Sequence, residues 1–161
     1  MNLIGSKVIL KPMTLSLCNE VYRNYVPDPI MTDKPFSYTE EWVNQYFTSR
    51  DGDPARRFFA VTVAGRAIGE IQVKYLNFIV KKGNIGITLI NDSVKGKGYG
   101  TEAERRIIQY AFQKLKLNVL YADAVLRNTR SQHIMEKLGF RYVHKDDIFR
   151  YYELQRENYK G

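Results

Sequence analysis

The chain is poor in the residues that staple, ligate or anchor a protein. Its one cysteine, Cys18, excludes an intrachain disulfide, and a reducing, cytoplasmic setting is the expectation. With only two histidines, His133 and His144, there is no Cys/His cluster at metal-ligand spacing, and no metal is expected. No Gly-x-Ser-x-Gly elbow is present, so a serine hydrolase is not indicated. No apolar run approaches the ~18 residues that span a bilayer, and Met1 to Leu17 lacks the order of a signal peptide, so no membrane partner is expected. Repeats, low-complexity tracts and linkers are also missing. At 161 residues the expectation is one domain, 1–161, large enough for a real core.

Acidic residues are outnumbered. Lys and Arg total 25 against 17 Asp and Glu, a net charge of +8, which suggests an anionic partner. Against a nucleic-acid-binding domain, the basic residues are scattered and no recognised nucleic-acid motif occurs. A solvated basic surface without a specific partner fits the charge equally well.

What is there is concentrated between Asn91 and Glu104. The apolar run Ile85 to Ile90 reads as a buried strand. Beyond the turn, Ala103, Ile107, Ala111 and Leu115 recur at four-residue spacing, joined by Ile108 and Phe112, which predicts a helix. Between them Gly96, Gly98 and Gly100 alternate with Lys97 and Tyr99. Such a turn leaves backbone N–H groups uncovered, and the helix start adds roughly half a positive charge there. A phosphate or pyrophosphate is the natural ligand. Spacing excludes the two commonest nucleotide loops. A dinucleotide fingerprint would need glycine where Thr101 or Ala103 stands, and a Walker loop would need Ser or Thr where Gly98 stands.

Lys95-Gly96-Lys97-Gly98-Tyr99-Gly100 instead resembles motif A of the GCN5-related N-acetyltransferases, Gln/Arg-x-x-Gly-x-Gly/Ala. Asn128 to Phe140, with Glu136-Lys137-Leu138-Gly139-Phe140 at its end, resembles motif B of the same family. The two stand in the family's order with a candidate strand, Val119 to Val125, between them. The resemblance implies acetyl-coenzyme A as cosubstrate, held by Lys95, Gly96, Lys97, Gly98, Tyr99, Gly100, Thr101, Asn128 and Ser131. It also implies a mixed α/β fold: a mostly antiparallel sheet of about seven strands, helices on both faces, and a splayed parallel strand pair. Leu89 and Ile90 are the positions expected to pair with the pantetheine arm, and one of their N–H groups to serve the oxyanion.

In order, the chain reads as a strand at Lys7 to Lys11, a helix capped by Thr14 or Ser16, and a loop with Pro27, Pro29 and Pro35. A second helix follows, capped by Thr39, and then a meander of three strands turning at Ala64-Gly65-Arg66. The helix of motif A, the strand Val119 to Val125, the helix of motif B and two closing strands complete it. The resemblance places the acceptor groove at the N-terminal helix pair, where Tyr22, Tyr25, Trp42, Tyr46 and Phe47 line it or simply form core.

Transfer from a thioester to an amine needs a base, a donor for the oxyanion and a proton for the departing thiolate. Glu70 is the expected base, directly or through a water, because strand alternation places it with Ile68, Gln72 and Lys74. An exposed strand glutamate fits the same pattern. Most of the family protonates the thiolate with a tyrosine where this chain has Met135. The branch resembling ribosomal-protein N-terminal acetyltransferases carries Asn-x-x-Ser instead, matched by Asn128 and Ser131. Ser131 is therefore the candidate partner of the sulfur, beside the reading that it only satisfies a helix start. Glu102, in the first helical turn, complements the dipole. The implied function is acetyl transfer to a primary amine, on a protein N-terminus or a small molecule. A polyamine is disfavoured by the net charge unless an acidic groove is hidden locally. The alternative is a coenzyme-binding module without catalysis. The oligomeric state is open, with a homodimer as one expectation.

Overall fold

A computed structural model describes residues 1–161. Its eight strands form one sheet in the order β1-β2-β3-β4-β5-β6-β8-β7. These are β1 (Leu3–Ile4), β2 (Ile9–Pro12), β3 (Arg57–Val63), β4 (Arg66–Asn77), β5 (Lys82–Leu89), β6 (Val119–Val125), β7 (Arg141–Lys145) and β8 (Phe149–Gln155). The helices are α1 (Leu15–Arg23), α2 (Glu40–Thr48), α3 (Tyr99–Gln113) and α4 (Thr129–Lys137). The count exceeds the expected seven because the two-residue β1 pairs with β2, a ladder too short to leave a sequence signature. No helix is long and apolar enough to cross a membrane.

Local chemistry sets the helix starts. Thr14 and Thr39 accept the N–H of Leu17 and Trp42, capping α1 and α2, and each such cap contributes on the order of 1 kcal/mol. The first helix ends at Arg23, so the backbone leaves the helical form before Pro27 requires it. Ala64 and Gly65 both take positive φ, so β3 and β4 join through a two-residue turn of right-handed twist, and Arg66 is already in the strand.

Alternation then distributes the helices over both faces. Phe59 meets Tyr110 of α3 on one side, and Phe58 meets Tyr46 of α2 on the other. Buried Ala103, Ile107, Ile108, Ala111 and Phe112 lay α3 on the sheet as the four-residue spacing predicts.

Every ladder is antiparallel except β5–β6. That pair holds register only from Lys82–Val119 to Asn84–Tyr121. Beyond Asn84 the strands part, because β5 stays on β4 as far as Leu89 while β6 stays on β8 as far as Val125. The resulting notch points at the start of α3.

Candidate active site

The notch opens into a cleft of about 300 Å³. On one wall are Ile87, Thr88 and Leu89 of β5; on another, Asn128, Ser131 and Ile134 around the start of α4. The floor is the glycine turn and the first turns of α3, with Gly96, Gly98, Tyr99, Gly100, Thr101 and Glu104. Gly96 and Gly98 have φ of +74° and +82°, a region that side chains strain to adopt, so glycine is required there. The first bond inside α3 runs from Glu102 N–H to Gly98 O, which leaves the N–H groups of Tyr99, Gly100 and Thr101 without helical partners. These amides, the helix dipole and a notch lined by strand backbone together suit a long ligand with phosphates at one end.

The structure brings most of the expected binding residues together but not all. Lys97 is exposed and does not line the cleft; its carbonyl accepts from Lys7 Nζ at 3.4 Å. Lys95 lines it, with its ammonium 3.0 Å from Asp28 and 3.3 Å from Asp92, so its charge is partly neutralised. Ile90 is a correction. It is fully buried and its N–H donates to Ile68 O at 2.9 Å, so it cannot pair with a ligand in the notch. Alternation turns the N–H of Leu89 the other way, to the splayed side, and Leu89 alone of the two lines the cleft.

Asn128 caps α4 by accepting Ser131 N–H at 3.1 Å. The Ser131 hydroxyl lines the cleft and makes no hydrogen bond within the protein, so it does not cap the helix start. Met135 is buried in the core, turned from the cleft that its neighbour Ile134 lines. Glu102 is a structural tie, accepting from the N–H of Lys7 and Val8 and from the Ser6 hydroxyl. Burial pushes its carboxyl upward, but those bonds outweigh it and hold it below the ordinary value. His133 is exposed on α4, and His144 stacks on Tyr151 at 4.6 Å in β7.

Glu70 is not an exposed strand residue. It is 2% accessible, and its carboxylate accepts from Tyr22 Oη, from Tyr46 Oη at 2.5 Å and from Gln72 Nε2 at 2.5 Å. Burial pushes its pKa up to about 7 against the opposing Gln72 amide and Lys74 charge. It stands directly across β4–β5 from Thr88, a cleft residue. Tyr22 and Tyr46 cover it, and Tyr22 packs on Tyr25 at 5.5 Å, which itself lines the cleft. The N-terminal aromatics therefore serve both readings: Tyr22 is core, Tyr25 reaches the cleft, and Trp42 is 37% exposed, stacked on Tyr46. Cys18 is fully buried, its thiol pushed up to about 12 by burial and then by Glu70, which removes it as a nucleophile.

Among the cleft residues that lay outside the sequence reading, Asp28, Met31 and Glu104 are the most consequential. Asp28 and Met31 line the cleft because the proline-rich loop is strapped over it. Val26 N–H donates to Ile90 O at 2.7 Å, Arg127 Nε to Ile30 O at 2.6 Å, and Asn128 Nδ2 to Met31 Sδ at 3.0 Å. Nothing local marks such long-range pairing. Glu104 carried a signal: it falls four residues before Ile108 and seven before Ala111, a charge on the apolar face of α3.

Residues 7–141 match the model of the acetyltransferase (GNAT) domain. The chain belongs to the GNAT acetyltransferase family. Among GNAT relatives, YjcK of Bacillus subtilis, described as a probable N-acetyltransferase, is 34% identical over 82 residues, 51% of this chain and 38% of that protein. The spermidine N(1)-acetyltransferase of Escherichia coli K12 is 31% identical over 88 residues, 55% and 47% of the two chains. The aligned stretch is thus less than half the length of either relative. The GNAT fold is shared with the spermidine N-acetyltransferase of Vibrio cholerae, solved in complex with CoA and spermine: TM-score 0.82 at 19% identity, covering 98% of this chain and 100% of that one.

Proposed function

We propose that the protein is an acetyl-coenzyme A-dependent N-acetyltransferase acting on a primary amine. The observation that carries this reading is the glycine turn and unpaired amides of α3 at the mouth of the β5–β6 notch. The cosubstrate supplies an activated acetyl thioester. Gly96, Gly98 and the N–H groups of Tyr99, Gly100 and Thr101 hold its phosphates, with Lys95 beside them. Its pantetheine arm lies along Ile87 to Leu89, and Leu89 offers a backbone N–H to the acyl oxygen. Ser131, on the facing wall with an unused hydroxyl, hydrogen-bonds the sulfur as it leaves.

Glu70 is the base, acting at one remove. A pKa near 7 suits proton removal from an amine at neutral pH, and the tyrosine cover means that the proton reaches it through a hydroxyl or a water. The acceptor is a protein N-terminus or a small-molecule amine, and relatives named for spermidine put polyamines among the amines to try.

Release of free thiol from acetyl-coenzyme A, measured over pools of amines and N-terminal peptides, tests this reading. Acceptor-dependent release is expected, falling roughly 10- to 100-fold in Ser131→Ala with cosubstrate affinity kept, the cost of losing one hydrogen bond to a charged group. Binding without release in any pool would favour the non-catalytic module. Failure to bind acetyl-coenzyme A would sink both.

A further inference from the structure

Glu104 is the one carboxyl on the cleft floor. It is 5% accessible, lies on the buried face of α3 one turn below Gly100, and has neither a hydrogen bond nor an ion pair within the protein. At this position in a helix packed on a sheet, an apolar side chain would bury at lower cost, since a buried polar group without a partner is unfavourable. The residue lines the cleft, so a partner for its carboxyl has to come from there. There an ionised carboxylate would also repel the phosphates placed at the turn above it.

We propose that Glu104 is a binding residue for the cosubstrate, held as the neutral acid and donating its carboxyl proton to an amide carbonyl of the pantetheine arm. This rests on acetyl-coenzyme A occupying the cleft. The geometry points to this role: Glu104 is a buried carboxyl without a protein partner, on the cleft floor opposite the β5 segment Ile87 to Leu89 along which the pantetheine arm is placed. Burial alone pushes this carboxyl up to about 8, so the neutral acid prevails at pH 7. The other charged or titratable groups around the cleft are Lys95 paired with Asp28, Arg130 from α4, and Tyr25 and Tyr99. None of them stands close enough to pair with it.

The consequence is a pH-dependent affinity. If only the neutral form binds, affinity for acetyl-coenzyme A falls about tenfold between pH 7 and pH 9, as the competent fraction shrinks. Calorimetric titration of acetyl-coenzyme A into the wild-type protein at both pH values measures this without any variant. Glu104→Gln keeps a donor and cannot ionise. It is expected to bind within about threefold of wild type at pH 7 and to show no fall at pH 9. Glu104→Leu removes the donor, so it should bind roughly two- to tenfold more weakly at pH 7, also without a fall. A wild-type affinity unchanged from pH 7 to 9, or a fall that Glu104→Gln shares in full, overturns the inference. Absence of wild-type binding at pH 7 overturns the cosubstrate assignment itself, and this inference with it.

Discussion

Lys95 Nζ lies 3.0 Å from Asp28 Oδ2, so the residue that opens the glycine turn also holds the proline-rich loop against the cleft. Asp28 is kept below its ordinary pKa first by the Ile30 N–H and also by Lys95, against a smaller push from burial. The pair therefore stays charged at neutral pH. It spends on the loop part of a positive charge that would otherwise face phosphate.

Asp28→Asn retains the acceptor for Ile30 N–H and removes one of the two carboxylates on Lys95, leaving Asp92. Acetyl-coenzyme A should bind about two- to fivefold more tightly at low ionic strength, within the range of a partly exposed ion pair. The gain should vanish in about 0.5 M salt, where such charges are screened. Calorimetric titration at the two ionic strengths checks both halves.

The pH dependence of transfer should report Glu70. As a base it works ionised, so kcat/KM should rise with pH and level off above about 7. Glu70→Gln should lose that limb and roughly 100-fold or more of the rate. Tyr22→Phe removes a donor to the carboxylate, which disfavours its charged form and moves the limb to higher pH. A pH-rate profile of the three proteins distinguishes a base from a residue that only shapes the groove. In the latter case the limb stays where it is.

Gly98→Ala tests the turn. Its φ of +82° strains any side chain, while the nearest atom to an added Cβ is the mobile Lys7 Nζ at 3.4 Å, so the effect is conformational and not steric. A loss of about 1–2 kcal/mol in stability is expected, read in a denaturant titration. KM for acetyl-coenzyme A should rise with kcat less affected, because the turn serves binding.

Glu70 and Glu104 together set a trend in stability. Unfolded, both carboxyls ionise near 4.5, but folded they keep their protons to about 7 and about 8. The folded state binds more protons in that window, so stability falls as pH rises through it, by an amount on the order of a few kcal/mol. The melting temperature should drop between about pH 5 and pH 8, and Glu104→Leu should flatten part of the fall. A melting temperature rising across that window would show that neither carboxyl is held neutral.

The strand, turn and helix of motif A were legible in the sequence because their determinants are local. Gly96 and Gly98 take a backbone form that follows from their own lack of a side chain, and Thr14, Thr39 and Asn128 cap helices a few residues away. Periodicity sufficed to lay α3 on the sheet. What only the tertiary structure decided depends on residues far apart in the chain. Ile90 and Leu89 look equivalent in sequence, yet pairing with Ile68 commits one N–H to β4 and turns the other to the notch. The alternation that placed Glu70 could not tell solvent from burial, because its environment comes from Tyr22 and Tyr46, 48 and 24 positions away. Asp28 reaches the cleft through a lysine 67 residues on. Local sequence determines backbone preference and face; the charge state and accessibility of a side chain depend on which distant groups fold over it.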